Sequence, residues 1–502
     1  MLRALRVFAA LAVLAGLSGT ARAQVPTAPK PPAIAPEIHQ GRLPNGLRYA
    51  VVSSPTPKGA VSVRLGMDVG SYDEADDERG LAHFVEHMAF NGTRNFAEDA
   101  LTGAFARLGV GFGRDHNAYT GQASTTFHLD LPNAEPAELD AAFLWLRDVA
   151  DGMLFQADAI EREKGVVLSE REARSDAGDE WRQAMADFTY KGLRSNVRDP
   201  AGKIEVVRAA TPARLRAFYD RWYRPEHAVV IVVGDAPAEM LEARVKAAFS
   251  SWTGRGAAGQ RAPRTGPQGL RSEEYFVRVD PNAPLAISVC QVHGPPPSGP
   301  PEAVLRDSTL ADLWDNVLEQ RLKPLADRPA PAVLQARVSG DVAEDAATEC
   351  IGLVPTKGKA DEAISQAGAE VRRFLRDGPT DTELEGAIEE MRAGLRGGIA
   401  DDATQAAPDR ADRLMYAMLD GRPLVTGREA MRAFNQVVAD LTPQDLLGAF
   451  KADWIGWGPL VRVTSPEPLD EPAIHIAWTK APAAEATVAT TPTEWPYKRF
   501  GR

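Results

Sequence analysis

The 502 residues predict an α+β fold: two homologous α/β-sandwich domains, each a mostly antiparallel sheet with helices on one face. Three observations carry this. Short apolar, strand-like runs alternate with long helical stretches. A Gly/Pro/Arg-rich stretch at 253–270 and an Ala/Thr/Pro-rich one from 481 bracket segments of similar size. Thr211-Pro212, Phe218, Trp222 and the run 229–233 close the first segment. About 231 residues later Thr442-Pro443, Phe450, Trp454 and the run 460–464 close the second. In both copies Thr is placed to cap a helix, and Pro takes the first helical position, where an N–H has no intrahelical partner.

From the N-terminus, Arg3 and Arg6, the apolar stretch 7–17 and Ala21-Arg22-Ala23 read as a signal peptide ending at residue 23. The apolar stretch is too short to span a bilayer stably. The mature chain is therefore expected to be exported with no stable membrane span, into the periplasm if the source is a diderm bacterium. Residues 24–36 are Pro/Ala-rich and read as extended. The first domain is expected over 37–252, with strands at 47–52, 60–65 and 125–131 and helices at 138–152 and 159–174. A linker at 253–270, the second domain at 271–480 and a linker and tail at 481–502 follow.

Hydrophobic residues make up 44% and charged residues 25%, as in ordinary globular chains. The net charge of −12 argues against a nucleic-acid partner, which requires a basic face. Cys290 and Cys350 both lie in apolar, strand-like surroundings. An oxidising compartment permits a disulfide between them, and two buried thiols fit equally well.

The chemistry concentrates in His83-Phe-Val-Glu86-His87. Histidines four apart share one helical face, where both can reach one zinc ion. Glu86 lies on nearly the same face, placed to take a proton from a zinc-bound water. The order is the inverse of the commoner H-E-x-x-H motif. Such a match arises by chance in roughly one chain of this composition in a hundred, so context decides. Leu81, Phe84, Val85 and Met88 give the helix an apolar face, about three turns long. An Asp of the run 73–78 is expected to cap its start, and Asn91-Gly92 to stop it.

Zinc held by two His needs a further protein ligand. Histidines 39, 116, 128, 227, 293 and 475 are scattered. On the predicted helix at 159–174, Glu163, Val167 and Glu170 share a face. One acid could ligate the metal while the other orients a histidine. A solvated charged face is the alternative.

The segment 80–93, the strand Asn117-Ala118-Tyr119-Thr120 and the acidic helix through Glu161, Glu163 and Glu170 together resemble the pitrilysin-type inverzincin zinc metallopeptidases, a family that includes insulin-degrading enzyme and the mitochondrial processing peptidase. The resemblance covers roughly residues 36–480. It implies His83, His87 and Glu170 as ligands of one Zn2+ per chain, Glu86 as general base and Glu163 as the acid behind a ligand. It also implies a peptide substrate added as a strand along Asn117, Ala118 and Tyr119, and hence a zinc metalloendopeptidase.

Two departures stand out. The spacing from His87 to Glu170 is a few residues longer than usual, with the extra residues expected around 109–115. Family members also position the substrate carbonyl with an Arg and a Tyr from a silent half. The matching stretch here, 322–332, has no Tyr, and its Arg328 lies among prolines. Active members are clamshells of four such units, and this chain has two. A second half-clamshell is expected: another copy, a separate inactive subunit or a C-terminal half missing from this sequence. The alternative function is a catalytically silent or partner-dependent scaffold.

Overall fold

The computed structural model describes residues 37–174, 177–295, 300–402 and 404–482. The signal peptide, the stretch 24–36 and all but the first two residues of the tail lie outside them. The first half runs β1 (Ile38–Arg42), β2 (Arg48–Ser53), β3 (Val61–Met67), α1 (Leu81–Met88), α2 (Glu98–Arg107), β4 (His116–Thr120), β5 (Thr125–Leu131), α3 (Pro136–Asp151), α4 (Ala157–Arg174), α5 (Ala177–Thr189), α6 (Ile204–Arg208), α7 (Pro212–Trp222), β6 (Ala228–Gly234) and α8 (Ala238–Phe249). The second runs β7 (Glu274–Val279), β8 (Ala286–His293), α9 (Pro301–Leu322), β9 (Val333–Val342), β10 (Ala347–Pro355), α10 (Ala360–Asp377), α11 (Asp381–Asp402), α12 (Ala407–Leu419), α13 (Gly427–Val438), α14 (Pro443–Asp453), β11 (Trp457–Ser465) and α15 (Glu471–Thr479). The strands and helices read from the sequence of the first half all form, within two or three residues of their expected ends.

The sheets are ordered β1-β2-β6-β3-β5-β4 and β7-β11-β8-β10-β9. Pairing is antiparallel except at β2–β6 and β7–β11. The second order repeats the first without β1, so the duplication seen in the Thr-Pro helices extends through the whole sheet. Thr211 and Thr442 both cap their helices, accepting from the N–H of Arg214 and Asp445.

Each half packs helices of its own on one face of its sheet. In the first, Val63, Leu65, Phe127, Leu129, Val230 and Val232 pack with Phe84, Val85, Leu146 and Phe218. The opposite face is covered from the other half. Ala411, Leu414 and Met415 of α12 lie on Ala50, Val52, Val229, Ile231 and Val233. Reciprocally, Phe188, Tyr190 and Leu193, at and beyond the end of α5, pack on Val292, Trp457 and Leu460 of the second sheet. Burial on both faces explains why β6 is apolar along its length. Arg64, buried beneath α12, reaches Asp130 at 2.7 Å and Asp412 at 2.6 Å, so its charge is paired from both halves.

Cys290 and Cys350 sit opposite each other on β8 and β10 and form a disulfide, which decides between the two alternatives left by the sequence. Among the described residues no helix is long and apolar enough to cross a membrane.

Candidate metal centre

α1 is shorter than expected, eight residues or about two turns. Its cap is not an aspartate. Gly80 starts the helix at φ 104°, and the Glu74 carboxylate receives the N–H of Gly80 at 2.9 Å and of Ala82 at 2.8 Å. The longer glutamate side chain reaches from a buried turn to helix donors that otherwise have no partner. Arg194 and Arg198 clamp the same turn from behind through the Glu74 carbonyl. Gly80 meets Gly202, itself at φ 65°, almost backbone to backbone. A Cβ on Gly202 would collide with Gly80 Cα and the Arg79 carbonyl.

His83 and His87 project from one face of α1 with perpendicular rings, centroids 4.6 Å apart. α4 packs alongside, with buried Val167 between Glu163 and Glu170. His83 Nε2 lies 3.2 Å from His87 Nε2, and Glu170 Oε2 lies 3.6 Å and 3.2 Å from the two. Tetrahedral zinc with ligand bonds near 2.0–2.1 Å separates its donors by roughly 3.4 Å. The three atoms therefore fit one zinc ion with a fourth position left over. Among the described residues, this is the one group of three or more such side chains whose donor atoms lie within 4.8 Å of one another.

Glu163 does not join the three donors. Its Oε1 accepts from His87 Nδ1 at 2.6 Å and its Oε2 from Asn91 Nδ2 at 2.9 Å. That bond sets the His87 tautomer and turns Nε2 toward the other donors. Burial works to lower the His87 pKa, but the Glu163 hydrogen bond and the charges of Glu86, Glu163 and Glu170 outweigh it and hold it above the ordinary value. Glu86 is buried, and its Oε2 accepts from Thr120 Oγ1 at 2.7 Å.

β4 is the outermost strand of its sheet. Thr120 faces α1, so by alternation His116 and Ala118 share that face, while Asn117 and Tyr119 point to the other. His116 packs on Trp145 and Phe105, and burial, with His128 nearby, pushes it down to about 3, a core histidine. Tyr119 is 60% exposed. Asn117 folds back so that its Oδ1 accepts the Ala118 N–H at 2.9 Å. The structure forms the expected strand at 117–120, and the sequence reading did not single out Thr120 as the partner of Glu86, which the period-two alternation could have revealed. It also read Asn91 only as a stop. In the second half, the positions 231 residues on from His83, Glu86 and His87 are Trp314, Val317 and Leu318, all buried core.

Of the two duplicated sandwiches, the first carries this cluster of candidate metal donors and the second an apolar core at the matching positions. The family model described as "Insulinase (Peptidase family M16)" matches residues 49–196, and the one described as "Peptidase M16 inactive domain" matches 209–391. The chain belongs to peptidase family M16, the insulinase or pitrilysin family. A relative named "Probable zinc protease PqqL", from Escherichia coli strain K12, is 38% identical over 208 residues, which are 41% of this chain and 22% of that protein. The solved structure of the periplasmic protease PqqL from Escherichia coli superposes with a TM-score of 0.83 at 23% identity, over 92% of this chain and 52% of that one. Pitrilysin superposes at 0.66 and 17%, over 88% of this chain and 48% of its own. The chain spans about half of these two structures. Family membership supports a peptidase function.

Proposed function

We propose that the chain is the catalytic half of a zinc-dependent endopeptidase that hydrolyses peptides or small unfolded proteins in a clamshell chamber. The observation that carries this is the spacing of His83 Nε2, His87 Nε2 and Glu170 Oε2, which suits tetrahedral zinc with the Glu86 carboxylate beside it. These three residues would hold one Zn2+ per chain. When bound, the ion supplies a Lewis acid for the scissile carbonyl and lowers the pKa of water at the site. Glu86, its rotamer fixed by Thr120, takes the proton of the attacking water and passes it to the leaving amine. Glu163 keeps His87 oriented. The peptide adds as a strand to the outer edge of β4, along Asn117, Ala118 and Tyr119, so recognition is largely of backbone.

A second reading, a partner-dependent subunit, is favoured by one observation: the chain spans 52% of the PqqL structure. A second copy, a separate inactive subunit or further sequence would close the chamber. Export to the periplasm is supported by the signal-like N-terminus and by the periplasmic description of the Escherichia coli protease.

The test is to measure zinc per chain and the hydrolysis of a quenched peptide, for the wild type and Glu86→Gln. The substitution is expected to keep one zinc and lower kcat by about 10²–10⁴-fold. A chain without zinc, or an unimpaired Glu86→Gln variant, overturns the proposal. Wild type that binds zinc but cleaves only after a second half is added establishes the partner-dependent reading.

A further inference from the structure

The second half reaches the start of α1 by a route separate from the α12 cover. Strands β9 and β10 meet in a tight hairpin, Val342 opposite Ala347, with Asp345 in its turn. Asp345 is buried, and its Oδ2 accepts from the first half: the N–H of Arg194 at 2.8 Å and of Ser195 at 3.2 Å. Tyr72 Oη, which donates to the Pro263 carbonyl at 3.0 Å, lies 3.4 Å from the same oxygen. A buried carboxylate that takes two neighbouring N–H groups fixes where their backbone sits, because its removal leaves both donors without a partner.

From there the path runs through one side chain. Arg194 lies over the Tyr72 ring, donates from Nε to the Tyr72 carbonyl at 2.7 Å and from Nη2 to the Glu74 carbonyl at 2.5 Å. Both carbonyls belong to the turn 71–74, and this turn touches two parts of the candidate centre. The Glu74 carboxylate receives the N–H groups of Gly80 and Ala82 at the start of α1. The N–H groups of Ser71 and Tyr72 donate to the Gly121 and Gln122 carbonyls at 3.1 Å and 3.0 Å, directly after Thr120, the partner of Glu86. Gln122 Nε2 in turn reaches the Ser195 carbonyl at 2.9 Å. The contact has no slack, since a Cβ on Gly70 would collide with the Gly121 and Gln122 carbonyls. Residues 194 and 195, seated on Asp345, therefore hold both the turn from which α1 starts and the loop that follows Thr120.

We propose that Asp345 is a positioning residue contributed by the second half, which sets α1 and the Thr120–Glu86 pair relative to each other through Arg194 and the turn 71–74. The inference rests on the peptidase reading given above. Asp345 touches no candidate metal donor and no reacting atom. Its effect is on aim: a misplacement of about 1 Å caused far from the chemistry can cost on the order of 100-fold in rate. The second half then does more than cover the first sheet. It supplies a fixed point from which the ligand-bearing helix and the proposed general base are both held.

The experiment reads metal geometry as well as activity. Asp345→Ala, Asp345→Asn, Arg194→Ala and the double alanine variant are made in the full chain. Chelator competition gives zinc affinity, the visible absorption of the chain loaded with Co2+ reports donor geometry, and a quenched peptide at saturating zinc gives kcat and KM. Asp345→Ala should weaken zinc about tenfold, shift the cobalt bands and lower kcat about tenfold, with KM within about twofold. Asp345→Asn, whose amide oxygen can still accept both N–H groups, should recover most of each loss. Arg194→Ala keeps the backbone bonds to Asp345 and cuts only the link to the turn. It should reproduce the losses, and the double variant should be no worse than either single one. Arg194→Ala carries the test if Asp345→Ala does not fold. Unchanged cobalt bands and kcat in Arg194→Ala or in folded Asp345→Ala, an Asn variant no better than Ala, or additive losses in the double variant overturn the proposal. The expected zinc and cobalt pattern without any hydrolysis by the wild-type chain overturns the catalytic reading alone.

Discussion

Glu163 and Asn91 show how much of the proposed metal centre would lie outside its ligands. Glu163 bonds His87 Nδ1 with one oxygen and Asn91 with the other, while Asn91 also reaches the His87 carbonyl at 2.9 Å. The helix end, the histidine ring and α4 are thus tied at one point. Removing the carboxylate frees the tautomer and rotamer of His87 without touching a donor atom. Glu163→Ala is therefore expected to weaken zinc binding by about 10–100-fold, and Asn91→Ala by less. Competition with a chromophoric chelator measures both, and unchanged affinity in Glu163→Ala would remove that residue from the centre. Glu163 and Glu170 were legible in the sequence because helical phase put them on one face. Helical phase did not say which acid faces which nitrogen, since that depends on how α4 leans against α1; the family resemblance was what put Glu170 with the histidine donors and Glu163 behind a ligand.

Two elements carry predictions of their own. α1 starts where Gly80 and Gly202 touch with positive φ on both sides. A side chain at 202 must push the start of α1 away from Glu74, so Gly202→Ala should lower stability by about 1–3 kcal/mol. It should also loosen zinc, because His83 lies one turn in. Thermal unfolding with and without zinc checks this, and an unaltered midpoint would show that the two turns can separate freely. In the second half, α9 and α11 are locked by Arg321 and Glu383, bonded at 2.7 Å and 2.8 Å. Burial works to raise the Glu383 pKa, but the Arg321 guanidinium and the Thr380 N–H outweigh it and hold it down at about 2. A depressed carboxylate pKa contributes stability above the unfolded value, near 4.5, that is lost as pH falls toward 2. Glu383→Gln should flatten the fall in stability between those limits, and urea unfolding at a series of pH values reads it. An identical slope in the variant would rule the pair out as the source. At this scale the strands and helices read from the sequence were plain from periodicity and from the Thr-Pro starts. The Glu74 cap was not, because its carboxylate acts six and eight residues away through a turn with no local pattern.

The two halves are interleaved rather than merely joined. The outer face of the first sheet, Val52, Val229, Ile231 and Val233, is dry only because α12 comes from the second half, and the end of α5 repays the contact on the second sheet. Sequence periodicity shows that β6 is apolar on both sides, but not whose helix covers the second one, because that partner lies some 180 residues downstream. Each of those side chains, once uncovered, forgoes about 1.5–3 kcal/mol. Domains of ordinary stability have only about 5–15 kcal/mol in total. Arg64 would also lose Asp412, leaving Asp130 to carry a guanidinium that now sits between two acids. A fragment of residues 37–270 is therefore expected not to fold alone, although it holds every proposed zinc ligand. It should bind an apolar dye, unfold without a cooperative transition and retain little zinc. Co-expressed with residues 271–482, it should return as a soluble complex with the cooperativity and zinc content of the intact chain. Cooperative unfolding of the isolated fragment with one zinc bound would show instead that the first half is self-sufficient and that α12 is a dispensable cover.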